Sequence, residues 1–165
     1  MNRVLRLGAL VALVLLTAAA PAAAQGAKAR FTLTGGPQAG SYEMTAVAVC
    51  EAFDSGSNDD GFGARFVADA PRGWHKGPPY LSQMVLSIPR MRNPKPDELA
   101  LAVVFTKWGT PETEIKYEVF NIPGAHKLTG HGEAKVQRSA GGLSATFRGE
   151  TADGVRIEGS LQCAP

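Results

Sequence analysis

Residues 132–165 alternate apolar and polar side chains in three successive runs, and turn signals separate the runs. The inward positions of the three runs are Ala134, Val136, Leu143, Ala145, Phe147, Val155, Ile157, Leu161 and Cys163. A period of two places neighbouring side chains on opposite faces of a strand, so each run has one face for a core and one for solvent. Turns are indicated at Gly141-Gly142 and at Asp153-Gly154. The sequence therefore predicts a three-strand antiparallel meander here, a feature that favours an all-β fold.

The apolar positions also predict the register of the two hairpins. For Phe147 and Ile157 to face the same side, the second hairpin needs an odd number of loop residues. The segment Ala152-Asp153-Gly154 fits a three-residue loop that closes on a left-handed glycine, and it places Phe147 opposite Gly159. The first hairpin joins even-numbered inward positions to odd-numbered ones and needs an even loop, which Gly141-Gly142 supplies.

The first 24 residues have the pattern of a secretory signal peptide. Two arginines precede the apolar run from Leu7 to Ala20, and Ala22-Ala23-Ala24 provides a small-residue cleavage site. A membrane anchor is the alternative, but the apolar run is shorter than the ~20 residues of a spanning helix. Cleavage leaves residues 25–165, which have the length of one domain, and no transmembrane segment is predicted after it.

The predicted mature chain is formally neutral. The precursor has 17 lysines and arginines against 15 acidic residues. Removal of a leader that contains two arginines and no acid leaves 15 of each sign. This balance does not favour a nucleic-acid partner or an anionic membrane surface.

The two cysteines predict one disulfide, Cys50–Cys163, because an exported chain meets an oxidising compartment. The chain-entropy model values such a long closed loop at about 4–5 kcal/mol of stability. Two free buried thiols are the alternative. Both cysteines fall on the apolar parity of their strands, as a bridge between strands or sheets requires.

Further strands are predicted from alternation and from β-branched or aromatic content. They cover residues 29–34, 41–53, 64–69, 80–88, 99–105 and 114–120. Residues 99–105 are apolar on both faces and also fit a short helix, but Val103, Val104 and Phe105 favour a strand. The prediction is a single-domain, all-β antiparallel sandwich, or a partly open barrel, of about eight to nine strands.

Charge is segregated in the middle of the chain. Residues 31–64 contain five acids and no lysine or arginine, and residues 70–96 contain five bases, one histidine and no acid. The basic segment predicts a loop that binds an anionic or sugar-like ligand, or a protein partner. The candidate binding residues are Arg72, Trp74, His75, Lys76 and Tyr80. The alternative interpretation is that the two segments neutralise each other and that Trp74 caps the core.

A weaker candidate is a metal site formed by His126, His131 and Glu133, two residue types that commonly bind zinc. Their spacing matches no standard ligand pattern. Neither a nucleophile elbow nor a phosphate-binding glycine loop is present, and no cofactor is predicted.

The sequence thus favours an exported, periplasmic or extracellular, non-catalytic binding protein that uses loops between residues 54 and 97. Two alternatives remain open at this point. One is a metal-dependent or carboxylate-based hydrolase, and the other is a structural protein of the cell envelope.

Overall fold

The computed structural model describes residues 27–55, 59–108, 113–122 and 129–164, so the predicted signal peptide lies outside the described residues. The strands are β1 (Lys28–Thr34), β2 (Gly40–Met44), β3 (Val47–Phe53), β4 (Gly61–Val67), β5 (Tyr80–Ile88), β6 (Ala100–Lys107), β7 (Thr113–Phe120), β8 (His131–Ser139), β9 (Gly142–Glu150) and β10 (Arg156–Gln162). A 3-10 turn, Trp74–Lys76, lies between β4 and β5. Within the described part of the chain, no helix has the length and apolar character to cross a membrane.

The ten strands form two five-stranded antiparallel sheets. Sheet A has the order β2-β1-β10-β9-β8, and sheet B has the order β3-β4-β5-β6-β7. The sheets are not closed into a barrel, so the molecule is a β-sandwich. The predicted fold class is confirmed, with ten strands in place of the eight to nine expected.

The closing meander has the predicted second hairpin. Phe147 lies opposite Gly159, and the Thr151 N–H donates to the Val155 carbonyl oxygen at 2.9 Å around a three-residue loop. Gly154, the last residue of that loop, has a φ of 83°. The left-handed conformation that the register required is therefore present at glycine.

The first hairpin differs from the prediction by one residue. Ser139 pairs with Gly142, so the loop consists of Ala140 and Gly141. Its length is still two residues, and the even-to-odd change of the inward positions is preserved. Gly142 is the first residue of β9 and pairs with Ser139, so it is not part of the loop. Its φ of 105° is a conformation that favours glycine, here at the start of the strand.

The single strand predicted over residues 41–53 is wrong. The chain leaves sheet A after Met44, turns at Thr45-Ala46, and enters sheet B as β3. A β-bulge between Val47 and Val49 adds a residue to β3 and resets its alternation. The corner and the bulge together leave Ala46 and Ala48 exposed while returning Cys50 to the inner face, which is why the alternation looked unbroken in the sequence.

The core lies between the inner faces of the two sheets. Its largest fully buried side chains are Phe62, Phe66, Phe105, Leu33, Met84, Leu86, Ile88, Leu99, Leu101, Ile157, Val103 and Val119. Residues 100–107 form strand β6, as favoured from the sequence. Val103, Val104, Phe105 and Thr106 are consecutive and all buried, which explains the run that is apolar on both faces.

The predicted disulfide is present and joins the two sheets. Cys50 lies on β3, the edge of sheet B, and Cys163 directly follows β10, the central strand of sheet A. Their Cα atoms are 5.5 Å apart, and the bridge spans a sequence separation of 113 residues. The Cys163 N–H also donates to the Leu143 carbonyl oxygen at 2.7 Å. The bridge therefore fixes an edge strand of one sheet to a strand that is already held by hydrogen bonds in the other.

Reduction of Cys50–Cys163 is expected to lower the melting temperature by at least ~10 °C, since a loop of this length constrains the unfolded chain by about 4–5 kcal/mol. Differential scanning calorimetry with and without a phosphine reductant measures the shift. The Cys50→Ser/Cys163→Ser double variant is the control and should be insensitive to the reductant. An unchanged melting temperature of the reduced wild-type protein would contradict a stabilising role for the bridge.

Candidate functional site

The loop between β4 and β5 presents the residues that the sequence singled out. Its centre is the 3-10 turn, which begins after Gly73 with a φ of 73°. The Trp74 N–H donates to the Pro71 carbonyl oxygen, and the Gly77 N–H donates to the Trp74 carbonyl oxygen, each at 3.0 Å. Glycine at the left-handed position lets the chain reverse within a few residues. The turn thus holds Trp74 in a defined position on an otherwise irregular loop.

Trp74 is the centre of an aromatic cluster, which we define as Trp74, His75, Tyr80 and Trp108. The ring centroids of Trp74 and Trp108 are 5.1 Å apart with an interplanar angle of 90°, and those of Trp74 and Tyr80 are 5.4 Å apart at 70°. His75 stands 6.1 Å from Trp108. Such edge-to-face pairs contribute about 0.5–1.5 kcal/mol each beyond their buried area. The cluster therefore stabilises the loop by itself.

Strand pairing brings the two halves of the cluster together. Tyr80 is the first residue of β5 and lies opposite Thr106 on β6. Trp108 comes two residues after Thr106, just beyond the end of β6. The Thr106 hydroxyl donates to the Ser82 hydroxyl at 2.9 Å, which ties the same two strands together beneath the rings.

The aromatic cluster belongs to the surface. Its four residues are not members of the buried core that fills the sandwich. Trp74 and Tyr80 are half-buried, His75 is exposed, and Trp108 is 49 % exposed. Trp74 thus packs against neighbouring rings, where the sequence had left open that it caps the core.

Positive residues flank members of the aromatic cluster along the chain. Arg72 and Lys76 are exposed on the same loop, and Lys107 is exposed directly before Trp108. Within the described ranges, neither these three residues nor His75 take part in an ion pair. The site therefore offers accessible aromatic rings together with cations that no acid of the described protein neutralises.

The bases of the other half of the basic segment have acidic partners, but only Arg92 finds its partner in the acidic segment 31–64. Arg90 and Lys95 pair with Glu98 at 3.1 and 3.6 Å, and Arg92 lies 3.9 Å from Asp60. The Asp59 carboxylate accepts the backbone N–H of Arg92 at 3.0 Å. The positive charges of residues 90–95 are thus explained by pairing within the protein, whereas the ion pairs of the described residues do not include Arg72 or Lys76.

The suggested metal set is not assembled in the described residues. His126 lies outside them. His131 and Glu133 share the outer face of β8, but the Glu133 carboxylate pairs with Arg148 at 3.0 Å. The part of the chain that the structure describes contains no group of three or more His, Cys, Asp or Glu side chains arranged to hold a metal ion.

The outer face of sheet A has shallow clefts between rows of polar side chains. One, of about 310 Å3, is lined by Asp97, His131, Glu133, Arg148, Glu150, Arg156 and Glu158. At two places on this face an acid pairs with neighbouring bases: Glu133 with Arg148, and Glu43 with Lys28 and Arg30. At Glu43, hydrogen bonds from Lys28 and Arg30 hold the carboxyl pKa below its usual range. Such mutual pairing is typical of a solvated sheet face.

Sequence reasoning missed Trp108 and Lys107. Both lie outside the charge-segregated segments that directed attention to residues 54–97, and no local pattern connects them to Trp74. The available signal was a tryptophan placed directly after a strand and before glycine, since large aromatic residues at strand ends are typical of binding loops.

Comparisons with protein-family models, with curated proteins and with solved structures give no match to this chain.

The chain has two tryptophans, and both belong to the aromatic cluster. Two indoles 5.1 Å apart should couple electronically and give an exciton couplet in the far-ultraviolet circular dichroism spectrum. Trp108→Phe should abolish this couplet and change the melting temperature by only a few degrees, because the side chain is half-exposed. Phe120→Leu, at an exposed aromatic residue of β7, is the matched control. A wild-type spectrum without a couplet would show that the two rings are not in contact.

Proposed function

We propose that this chain is an exported, non-catalytic binding protein that holds an acidic glycan on the aromatic cluster. The observation that carries the proposal is the combination of accessible indole and phenol rings with cations that have no acidic partner among the described residues. Loops on a rigid scaffold are the usual place for such recognition.

The rings favour a sugar-like ligand. The apolar C–H face of a sugar ring packs against an aromatic face, and tryptophan and tyrosine supply large contact areas with little loss of side-chain entropy. Trp74 and Trp108 stand perpendicular to each other, so they present surfaces in two directions. The edge-to-face contacts fix both rings before a ligand arrives, which reduces the ordering cost of binding.

The surrounding charges favour an anionic ligand. Arg72, Lys76 and Lys107 could donate charge-assisted hydrogen bonds to carboxylate or sulfate groups. A neutral sugar would use the rings alone and would bind more weakly.

The disulfide and the predicted leader support export. Structural disulfides persist in oxidising compartments such as the periplasm and the extracellular space. The Cys50–Cys163 bridge is the feature of the structure that agrees with such a location.

The two other functions suggested by the sequence have less support. A hydrolase using His131 and Glu133 would need a free carboxylate, whereas Glu133 is paired with Arg148. A purely structural envelope protein would give no reason for an exposed aromatic cluster next to cations that lack an acidic partner in the described part of the chain.

Oligogalacturonate should change the tryptophan fluorescence of the wild-type protein, because both reporters lie in the proposed site. Trp108→Ala should weaken binding by about tenfold or more, as expected for loss of an aromatic anchor. The Arg72→Ser/Lys76→Ser variant should weaken binding and reduce its dependence on salt concentration. Titration monitored through Trp74, which remains in the Trp108→Ala variant, measures the affinity.

The controls separate sugar recognition from attraction between opposite charges. Phe120→Ala should bind like the wild type, since Phe120 is exposed on β7 outside the aromatic cluster. A neutral oligosaccharide should bind more weakly than oligogalacturonate, and polyglutamate should bind more weakly as well. Equal binding by wild type and Trp108→Ala, or no response to any acidic sugar, would contradict the proposal.

A further inference from the structure

The sandwich has four edge strands, and β3 differs from the other three. The edges are β2 and β8 in sheet A and β3 and β7 in sheet B. The charged side chains of β7 are Glu114, Lys116 and Glu118, those of β8 are Glu133, Lys135 and Arg138, and β2 is only five residues long and carries Glu43. Charged side chains and short length are the usual means of preventing pairing between edges. On β3 the only charge is Glu51.

The β3 edge also exposes large apolar side chains. Val47, Val49 and Phe53 are 44, 42 and 38 % exposed, and the neighbouring strand adds Val67. These are most of the large hydrophobic side chains that are exposed in the described part of the molecule. An edge of this composition is a template for another strand.

Two charges beside this edge have no ionic partner among the residues that the structure describes. Arg65 on β4 lies opposite Val49 and points outward, because its neighbours Ala64 and Phe66 face the core. Its guanidinium donates to the Gln83 side-chain oxygen at 3.0 Å. Among the described residues, neither Arg65 nor Glu51 takes part in an ion pair. Both lie on the outer face of sheet B, Arg65 next to Val49 on the neighbouring strand and Glu51 two residues after Val49 on β3 itself.

We propose that a second copy of this chain pairs with β3 in an antiparallel two-fold arrangement centred on Cys50. Val49 then lies opposite the partner's Glu51. Arg65 on β4 lies next to Val49 on β3. In the joined sheet, Arg65, Val49 and the partner's Glu51 therefore lie side by side on three neighbouring strands. The two-fold axis repeats this row, so two ion pairs between copies frame the paired strands.

The charges select this register over its neighbours. Adjacent strands lie about 4.8 Å apart, so Arg65 and the partner's Glu51 are separated by about 10 Å at the backbone, a distance that their two long side chains span. A shift in one direction would place Glu51 opposite the partner's Glu51, which is destabilising. A shift in the other would place Val49 opposite the partner's Val49 and leave both Arg65 side chains without an acid.

The paired molecules share one continuous ten-stranded sheet made of the two copies of sheet B. Pairing of a single strand buries less than the ~1,200 Å2 of a standard stable interface. The dimer is therefore weak and depends on protein concentration and on salt. This inference is independent of the proposed glycan site, which lies on β5, β6 and their loops.

Charge reversal tests the arrangement by sedimentation-velocity ultracentrifugation over a range of concentrations. Arg65→Glu and Glu51→Arg should each raise the dissociation constant of the dimer by at least ~10-fold, because each places like charges together. The Arg65→Glu/Glu51→Arg double variant should dimerise like the wild type. Lys116→Glu is the matched control, since it reverses one charge on the opposite edge strand β7 and should leave the dimer unchanged.

A mixing experiment distinguishes the ion pairs from effects on folding. An equimolar mixture of the two single variants should form heterodimers, because the arginines of one copy meet the glutamates of the other. A variant that had only lost its fold would not be rescued by mixing. The proposal is overturned by a wild-type protein that stays monomeric at high concentration, by single variants that dimerise normally, or by a mixture that remains monomeric.

Discussion

The covalent bond between Cys50 and Cys163 is the constraint on which the arrangement of the two sheets depends. Sheet A is built from the first two strands and the last three, whereas sheet B is a continuous meander of the middle five. The chain therefore changes sheet between β2 and β3 and again between β7 and β8. The disulfide connects the strand that follows the first crossing to the strand at the centre of sheet A. It keeps the two layers together where the chain has just left one for the other.

Features that depend on residues close together in the chain could be predicted from the sequence. The register of Phe147 and Gly159 follows from a two-residue period and from a loop that ends in glycine, both of which lie within a few residues of each other. The break between β2 and β3 could not be predicted from the sequence. A corner at Thr45-Ala46 and a bulge beside Val47 each disturb the alternation, and together they restore it at Cys50. Alternation alone cannot distinguish such a compensated break from one straight strand.

The candidate site could be predicted only in part, because one part of it is local in sequence and the other depends on strand pairing. Trp74, His75 and Tyr80 belong to one loop and the strand after it, and composition pointed to them directly. Trp108 joins them only because β5 pairs with β6, and that pairing is a tertiary property. The basic segment likewise appeared to be a single region. Folding divides it into a part around Arg92 that meets acids of other segments and a part around Arg72 that has no ionic partner within the described ranges.

The resulting account assigns different roles to different parts of one rigid scaffold. Sheet A has an outer face of polar and charged side chains, some of which are paired. Sheet B supplies the strands that carry the aromatic cluster, and its β3 edge is the proposed contact with a second copy. The rings hold their own loop in place, so the site is organised without a ligand. In the proposed function, recognition depends on the exposed part of Trp108 and on the neighbouring cations, rather than on a deep cavity.

The central claim is that ligand contact occurs at the aromatic cluster, and nuclear magnetic resonance maps that contact most directly. In a 15N-labelled sample, the indole N–H signals of Trp74 and Trp108 report from the cluster, and the backbone amide of Glu133 reports from the outer face of sheet A. Titration with oligogalacturonate should shift both indole signals and the amides of His75 and Lys76 while Glu133 stays in place. Shifts confined to sheet A with unmoved indole signals would contradict the account.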